Sequence, residues 1–311
     1  MKSATPLRLT TLAPAKVNLV LRVGPLRADG FHDIDSLMVP LDLGDQVEVR
    51  VGRRAGPVSC RVPRHPELDG AGNLAARAAE AFRRRFGVDR ATAIRITKRT
   101  PITAGLGGGS SDAAAVIRCL ARAFRIRDAA ALRAVALEIG SDVPFFLAQG
   151  PAWAAGRGER LMPAKVPSLD LVLAYPTDPA LAIRAGDAYR WLDAARPNPR
   201  RVRIPRRAAR FAPAGAANDL EEPCMARFAT LSTLRGHLVS HGASVAMMSG
   251  SGPTVFGIFD SRRAASRAAA ALQEEGKREI RVFAVRTAQR HPRVVSWRSP
   301  RSASSPSTRR S

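Results

Sequence analysis

The chain has 311 residues, 45% hydrophobic and 24% charged, which suits one large or two ordinary domains with a buried core and excludes a disordered chain. Three cysteines form no CxxC pair and have no histidine at metal-ligand spacing, which argues against a disulfide framework or zinc site and for a reducing cytoplasm. The net charge of +24 suggests a nucleic-acid partner, but much of it is local: residues 196–210 hold seven arginines and residues 290–311 hold six, with no acidic residue in either.

Only five of the 50 basic residues are lysine, and the two arginine segments lack the interleaved aromatics of a base-stacking platform. They read as a solvated loop and a disordered tail, with a polyanion contact as the other reading. The N-terminus has no signal-peptide apolar core, and no run of about 18 apolar residues occurs, so neither export nor a membrane span is expected.

In chain order, "AKVNLVLRV" from Ala15 and "DQVEVRV" from Asp45 are β-branched and partly alternating. "GPLRADG" and "DLGD" supply turn signals after and between them, so a β-meander is expected. "NLAARAAEAFRRRF" from Asn73 has apolar residues at helical spacing, and "AIRITK" from Ala93 is a short strand. A glycine-rich loop and a helix follow, then a helix over residues 127–139, a short helix at "SDVPFFLAQ", and strands near residues 152–153 and 169–174. The second part predicts helices over residues 185–194 and 221–241, a strand-loop-strand at "VAMMSGSGPTVFGIF", and a helix-strand pair ending near Val285. The pattern is α+β with no repeating βαβ unit. Three regions are expected: an N-terminal nucleotide-binding and catalytic domain over residues 1–160, a C-terminal domain over residues 161–289, and an unstructured basic tail over residues 290–311.

The glycine-rich loop carries the chemistry. A strand that passes through such a loop into a helix leaves unpaired N–H groups pointing outward, and the helix dipole adds about half a positive charge there. This reads as an anion site, with a tight glycine turn before a packed helix as the other reading. Gly105, Gly107, Gly108 and Gly109 let the backbone approach a polyphosphate, while Ser110 and Ser111 offer hydroxyls to its oxygens or to magnesium. Asp112 in the first turn favours the dipole, and Ala113, Val116, Ile117, Leu120 and Phe124 form one apolar face that anchors the helix. There is no GxxxxGK[ST] P-loop, and the one near match to a dinucleotide fingerprint, "GAGNLA" at Gly70, follows a polar stretch and not a strand. A loop without its own lysine needs a cation from elsewhere.

"PITAGLGGGSSDAA" (Pro101, Ile102, Thr103, Ala104, Gly105, Leu106, Gly107, Gly108, Gly109, Ser110, Ser111 and onward) resembles the nucleotide-binding motif of the GHMP kinases, the superfamily of galactose, homoserine, mevalonate and phosphomevalonate kinases. "APAKVNLVL" and "MMSGSGPTVFGIF" stand where the first and third motifs of that superfamily belong. With "ADGFHDIDSLM" and "GSDVPFF" in order, the match over residues 13–259 resembles the branch that acts on cytidine diphosphate methylerythritol. The resemblance implies a two-domain GHMP kinase fold with the active site in the cleft between domains. It implies ATP and Mg2+ as cofactors and phosphorylation of the 2-hydroxyl of the methylerythritol portion, in the non-mevalonate isoprenoid pathway. It also implies a small-molecule substrate, no nucleic-acid or membrane partner, and a monomer or weak homodimer.

Residue by residue, Lys16 and Asp142 fall on the family's catalytic pair, a carboxylate to orient or deprotonate the attacking hydroxyl beside an ammonium. Read alone, Asp142 before Pro144 is equally a helix cap. Phe31, where tyrosine is common, is placed to stack on the base and His32 to bond its edge; the other reading is a turn with one core aromatic. Asn18 matches a substrate-contacting position, and Asn73 and Lys98 match positions lining the adenine pocket, although Asn73 also suits a helix cap. Residues 249–254 are expected to pack beside the phosphate site. "DPALAIRAGDAYRWLD", with Arg184 where a small hydroxyl residue is typical, matches poorly and leaves contacts from the second domain open. The alternatives are another GHMP small-molecule kinase and a polyanion-binding protein on a degenerate kinase scaffold.

Overall fold

A computed structural model describes residues 6–148, 150–196 and 211–297. Two long antiparallel strands, β1 (Leu7–Leu26) and β2 (His32–Ala55), are the spine of an eight-stranded sheet, which β3 (Val58–Arg61) and β4 (Arg90–Thr97) extend in the order β1-β2-β4-β3. Helices α1 (Leu74–Phe86), α2 (Gly108–Phe124), α3 (Ala129–Ile139) and α4 (Val143–Leu147) share one core with it. β5 (Ala152–Gly156) pairs with the start of β2, and β6 (Arg160–Pro163) with β5. A second, antiparallel sheet has the order β11-β7-β10-β9, from β7 (Asp170–Pro176), β9 (Val245–Met248), β10 (Val255–Phe259) and β11 (Ile280–Arg286). With it go α5 (Ala185–Ala195), α6 (Glu221–Met225), α7 (Ala229–Ser240) and α8 (Arg262–Gly276). Two short strands return to β1: β8 (Ala217–Asn218), parallel to its second half, and β12 (Val295–Trp297), antiparallel to its start.

The two-residue period of a strand decides what each face of β1 meets. Ala15, Val17 and Leu19 join a core with Leu171, Leu173, Phe256 and Ile258 of the second sheet. The intervening side chains, Lys16 and Asn18, therefore point the other way. In β7 the same alternation sends Leu171 and Leu173 to the first sheet, and Val172 and Ala174 to a core with Leu238, Ala265 and Leu272 of α7 and α8.

Lys16 and Asn18 lie between two irregularities in the β1–β2 ladder. Ala15 alone separates the pairs Pro14–Gly44 and Lys16–Pro40, against three residues on β2, and a second shift falls between Asn18 and Val20. Bulges of this kind re-aim side chains next to functional sites. Gly44 permits the first: a Cβ there would stand 2.4 Å from the Ala13 carbonyl oxygen.

The structure departs from the sequence expectations in four places. "DLGD" is no turn, because β2 runs through it and Gly44 serves close strand approach instead. The helix expected over residues 221–241 breaks into α6 and α7, where Phe228 turns to pack on Trp191. The first sheet reaches Pro163, past the boundary expected at residue 160. The tail expected from residue 290 starts with ordered chain: His291 packs edge-on against Phe145 and Phe146, and β12 pairs with Arg8 to Thr10. Such a strand exists through its partner's edge and has no apolar period of its own. Residues 298–311 and most of the arginine segment, residues 197–210, lie outside the described residues.

Candidate active site

The glycine loop runs from β4 into α2 through backbone that only glycine adopts at no cost. Gly105 has φ 72° and Gly107, at the N-cap of α2, has φ 68°. The loop is fixed on three sides. The Lys16 amide donates to the Leu106 carbonyl at 2.9 Å, and the Ser249 hydroxyl donates to the Gly105 carbonyl at 3.2 Å. Beneath it, the Lys98 ammonium reaches the buried Asp45 at 2.5 Å and the buried Asp112 at 2.9 Å, its own side chain only 7% exposed. Asp45 also accepts from the amides of Arg99 and Thr100. Burial is the largest influence on Lys98 and disfavours its charge, yet the two carboxylates hold it above the usual lysine range. Burial, and then the charge of Asp45, push Asp112 up to about 8 against the pull of Lys98.

Two cavities meet at this loop. One, of about 350 Å³, is lined by Asn73, Lys98, Pro101, Ile102, Thr103, Ala104, Gly105 and Gly107 to Ser110. The other, of about 680 Å³, is lined by Lys16, Asn18, Phe31, His32, Asp142, Tyr189, Asp193 and Gly250 among others. Gly105, Gly107 and Ser110 belong to both. Leu106 and Ser111 line neither and are buried. Asn73 caps α1, accepting from the Ala75 amide at 2.9 Å, while it lines the smaller cavity.

Lys16 and Asp142, 126 positions apart in the chain, come together at this junction. The Lys16 ammonium lies 3.7 Å from an Asp142 carboxylate oxygen and donates to Asn18 Oδ1 at 2.5 Å. Asn18 in turn donates to the Ser36 hydroxyl, which donates to the Val20 carbonyl. Asp142 stands at the N-cap of α4, but its side chain makes no capping hydrogen bond. That carboxylate is turned into the cavity, one-third exposed, while Lys16 is nearly buried.

At the far end of the larger cavity, His32 is buried, with Nδ1 2.9 Å from the Gly24 carbonyl and Nε2 3.3 Å from an Asp193 oxygen. Its ring stacks on Tyr189 at 5.2 Å between centroids. Burial first, then the charge of Asp142, push the Tyr189 phenol above its usual range. Phe31 is half-exposed, with the Arg157 guanidinium 3.6 Å from its ring centroid. Tyr189, Asp193 and Arg157 were not foreseen from sequence. Tyr189 and Asp193 are four apart on α5, so helical spacing puts them on one face, but nothing local says that the face meets His32.

Among the described residues no helix is long and apolar enough to cross a membrane, and no cluster of three or more histidine, cysteine or acidic side chains could hold a metal.

Comparison with known proteins shows the family. The GHMP kinases N terminal domain family matches residues 73–150, and the GHMP kinases C terminal family matches residues 205–278. A 4-diphosphocytidyl-2-C-methyl-D-erythritol kinase of Anaeromyxobacter dehalogenans is 70% identical over 98% of this chain and 99% of its own length. One from Deinococcus radiodurans is 40% identical over 84% of this chain and 88% of its own. A crystal structure of 4-(cytidine 5'-diphospho)-2C-methyl-D-erythritol kinase superposes with a TM-score of 0.72 at 32% identity, covering 90% of this chain and 99% of that one. Homoserine kinase from Cytophaga hutchinsonii, at 16% identity and a TM-score of 0.69 over 95% of this chain and 99% of its own, shares the fold.

Proposed function

The chain belongs to the family of 4-diphosphocytidyl-2-C-methyl-D-erythritol kinases, and on that premise we propose how its residues carry out the reaction. It transfers the γ-phosphate of ATP to the 2-hydroxyl of 4-diphosphocytidyl-2-C-methyl-D-erythritol, giving the 2-phosphate and ADP in isoprenoid synthesis. ATP occupies the smaller cavity with its phosphates on the glycine loop, and the second substrate occupies the larger one. The observation that carries the assignment of roles is the Asp142 carboxylate, which leaves its own helix uncapped and faces Lys16 where the two cavities meet.

Asp142 accepts the proton of the 2-hydroxyl as that oxygen attacks phosphorus. Lys16, held by Asn18 beside that carboxylate, stabilises negative charge on the transferring phosphoryl group. His32, Tyr189 and Phe31 receive the cytidine end, the aromatic rings by stacking and His32 by hydrogen bonding. A magnesium ion carried on the nucleotide needs only one or two protein oxygens, and the hydroxyl of Ser110, which lines both cavities, fits that need. When bound, the ion neutralises charge on the ATP phosphates. The reaction takes place at a cytoplasmic site, on a monomer or weak homodimer.

The assignment is tested by ADP release with 4-diphosphocytidyl-2-C-methyl-D-erythritol, homoserine and mevalonate as acceptors, with phosphorus NMR locating the new ester. Turnover confined to the cytidine compound, with phosphate on the 2-oxygen, is expected. Turnover on another acceptor instead would overturn it.

A further inference from the structure

A third cavity, of about 610 Å³, lies apart from the two described and shares no lining residue with them. Its walls are aliphatic: Ile117 of α2, Leu132 of α3, Leu147 of α4 and Leu161 of β6. Among the described residues its charged lining is Arg118 and Arg133, with no acidic side chain. The acidic side chains of the surrounding helices are all engaged elsewhere. Asp112 binds Lys98, Asp128 caps α3, Glu138 pairs with Arg84, and Asp142 faces Lys16.

Arg118 is the informative residue. Its Nη atoms donate to the carbonyls of Pro292 and Leu12 at 3.1 and 3.3 Å, while its buried Nε has no partner among the described residues. The nearby His291 ring has both nitrogens buried as well, and burial, then the charge of Arg118, lowers its pKa to about 4. Burial lowers the pKa of Arg118, the direction expected of a guanidinium without a counter-charge. A buried cation with a free donor normally has an anion to match, and among the described residues no carboxylate pairs with this one.

We propose that this cavity binds an amphipathic anion, a hydrocarbon chain ending in a phosphate or carboxylate, with the chain on the aliphatic walls and the head group on Arg118 and Arg133. A bound molecule would touch α2 and α4, the helices that begin at the glycine loop and at Asp142.

The test is calorimetric titration of the full chain with both active-site cavities filled by ADP and substrate, so that heat from the glycine loop is not counted. Octyl phosphate and octanoate are the probes; octanol and inorganic phosphate are the controls. At least one probe should bind at one site per chain, and each control about tenfold or more weaker, since head and chain both contribute. Which probe binds tighter identifies the head group. Arg133→Glu, an exposed position, and Ala121→Phe, which fills the cavity, should each weaken the probe about tenfold while leaving turnover unchanged. The proposal is overturned by no saturable binding of either probe at millimolar concentration, by octanol or inorganic phosphate binding as well as the probes, or by affinity indifferent to both substitutions.

Discussion

Gly107→Val places a β-branched side chain in the glycine loop at the N-cap of α2. A Cβ at this position would meet Phe146 Cζ at 2.9 Å and Lys16 Cγ at 3.2 Å, with φ at +68°. Phe146 is fully buried and cannot yield cheaply. The left-handed backbone costs about 1–2 kcal/mol for a residue with a Cβ, and the overlap adds about 1–3 kcal/mol. The native loop is thus disfavoured by about 2–5 kcal/mol, at least about 30-fold in population. If the loop relaxes, its amides leave the phosphate-binding arrangement and Lys16 is pushed from Asp142, so ATP affinity and turnover both fall by that factor. ATP affinity by calorimetry, turnover, and the urea unfolding midpoint should be measured on one preparation. The reasoning is refuted if the whole cost appears in the midpoint while ATP affinity and turnover stay at parental values, because the loop would then be only a turn.

His32→Ala should raise KM for the cytidine substrate more than KM for ATP, because His32 lines only the larger cavity; equal changes in initial-rate kinetics would move base recognition elsewhere. Lys98→Met leaves Asp45 and Asp112 buried without their cation and should cost about 3–5 kcal/mol in urea unfolding, part of it recovered in combination with Asp112→Asn. Burial, opposed by Arg22, pushes the Asp35 carboxyl up to about 6. The folded chain then holds that proton to higher pH than the unfolded chain, so the group's stabilisation is full below about pH 4 and lost as pH rises through about 6. Asp35→Asn should therefore gain about 1–3 kcal/mol relative to the parent between pH 4 and pH 7, and a pH-independent difference between the two unfolding curves would contradict this. A chain ending at Gln289 should melt about 5 °C or more below one ending at Trp297, since it loses His291 from the Phe145–Phe146 contact, the Pro292 acceptor of Arg118, and β12.

What could be read from sequence was what local chemistry encodes. Four glycines before an amphipathic run are the local signature from which a phosphate loop is proposed, and the odd–even pattern around Lys16 requires a strand with one face in the core. Asp142 shows where such reading stops. "SDVP" suits a cap as well as a base, and the absent capping bond, with Lys16 at 3.7 Å, is what supports the proposed base over the cap. Lys98 was read as part of the adenine pocket. It does line the smaller cavity, but its ammonium is taken by Asp45, 53 positions away, a pairing no local pattern carries. Tyr189 and Asp193 were missed for the same reason, and β8 and β12 because two- and three-residue strands are defined by the β1 edge they join.

Single-turnover phosphoryl transfer by Asp142→Asn, followed by rapid quench with ATP and the cytidine substrate saturating, tests the central assignment most directly. The substitution keeps shape and removes charge and basicity, so ATP affinity should hold while the transfer rate falls by about 10²- to 10⁴-fold, some 3–5 kcal/mol of barrier. Lys16→Met should also slow transfer, and the double variant should be little slower than the poorer single one, as for groups that act as a unit. Transfer by Asp142→Asn at the parental rate would contradict the account.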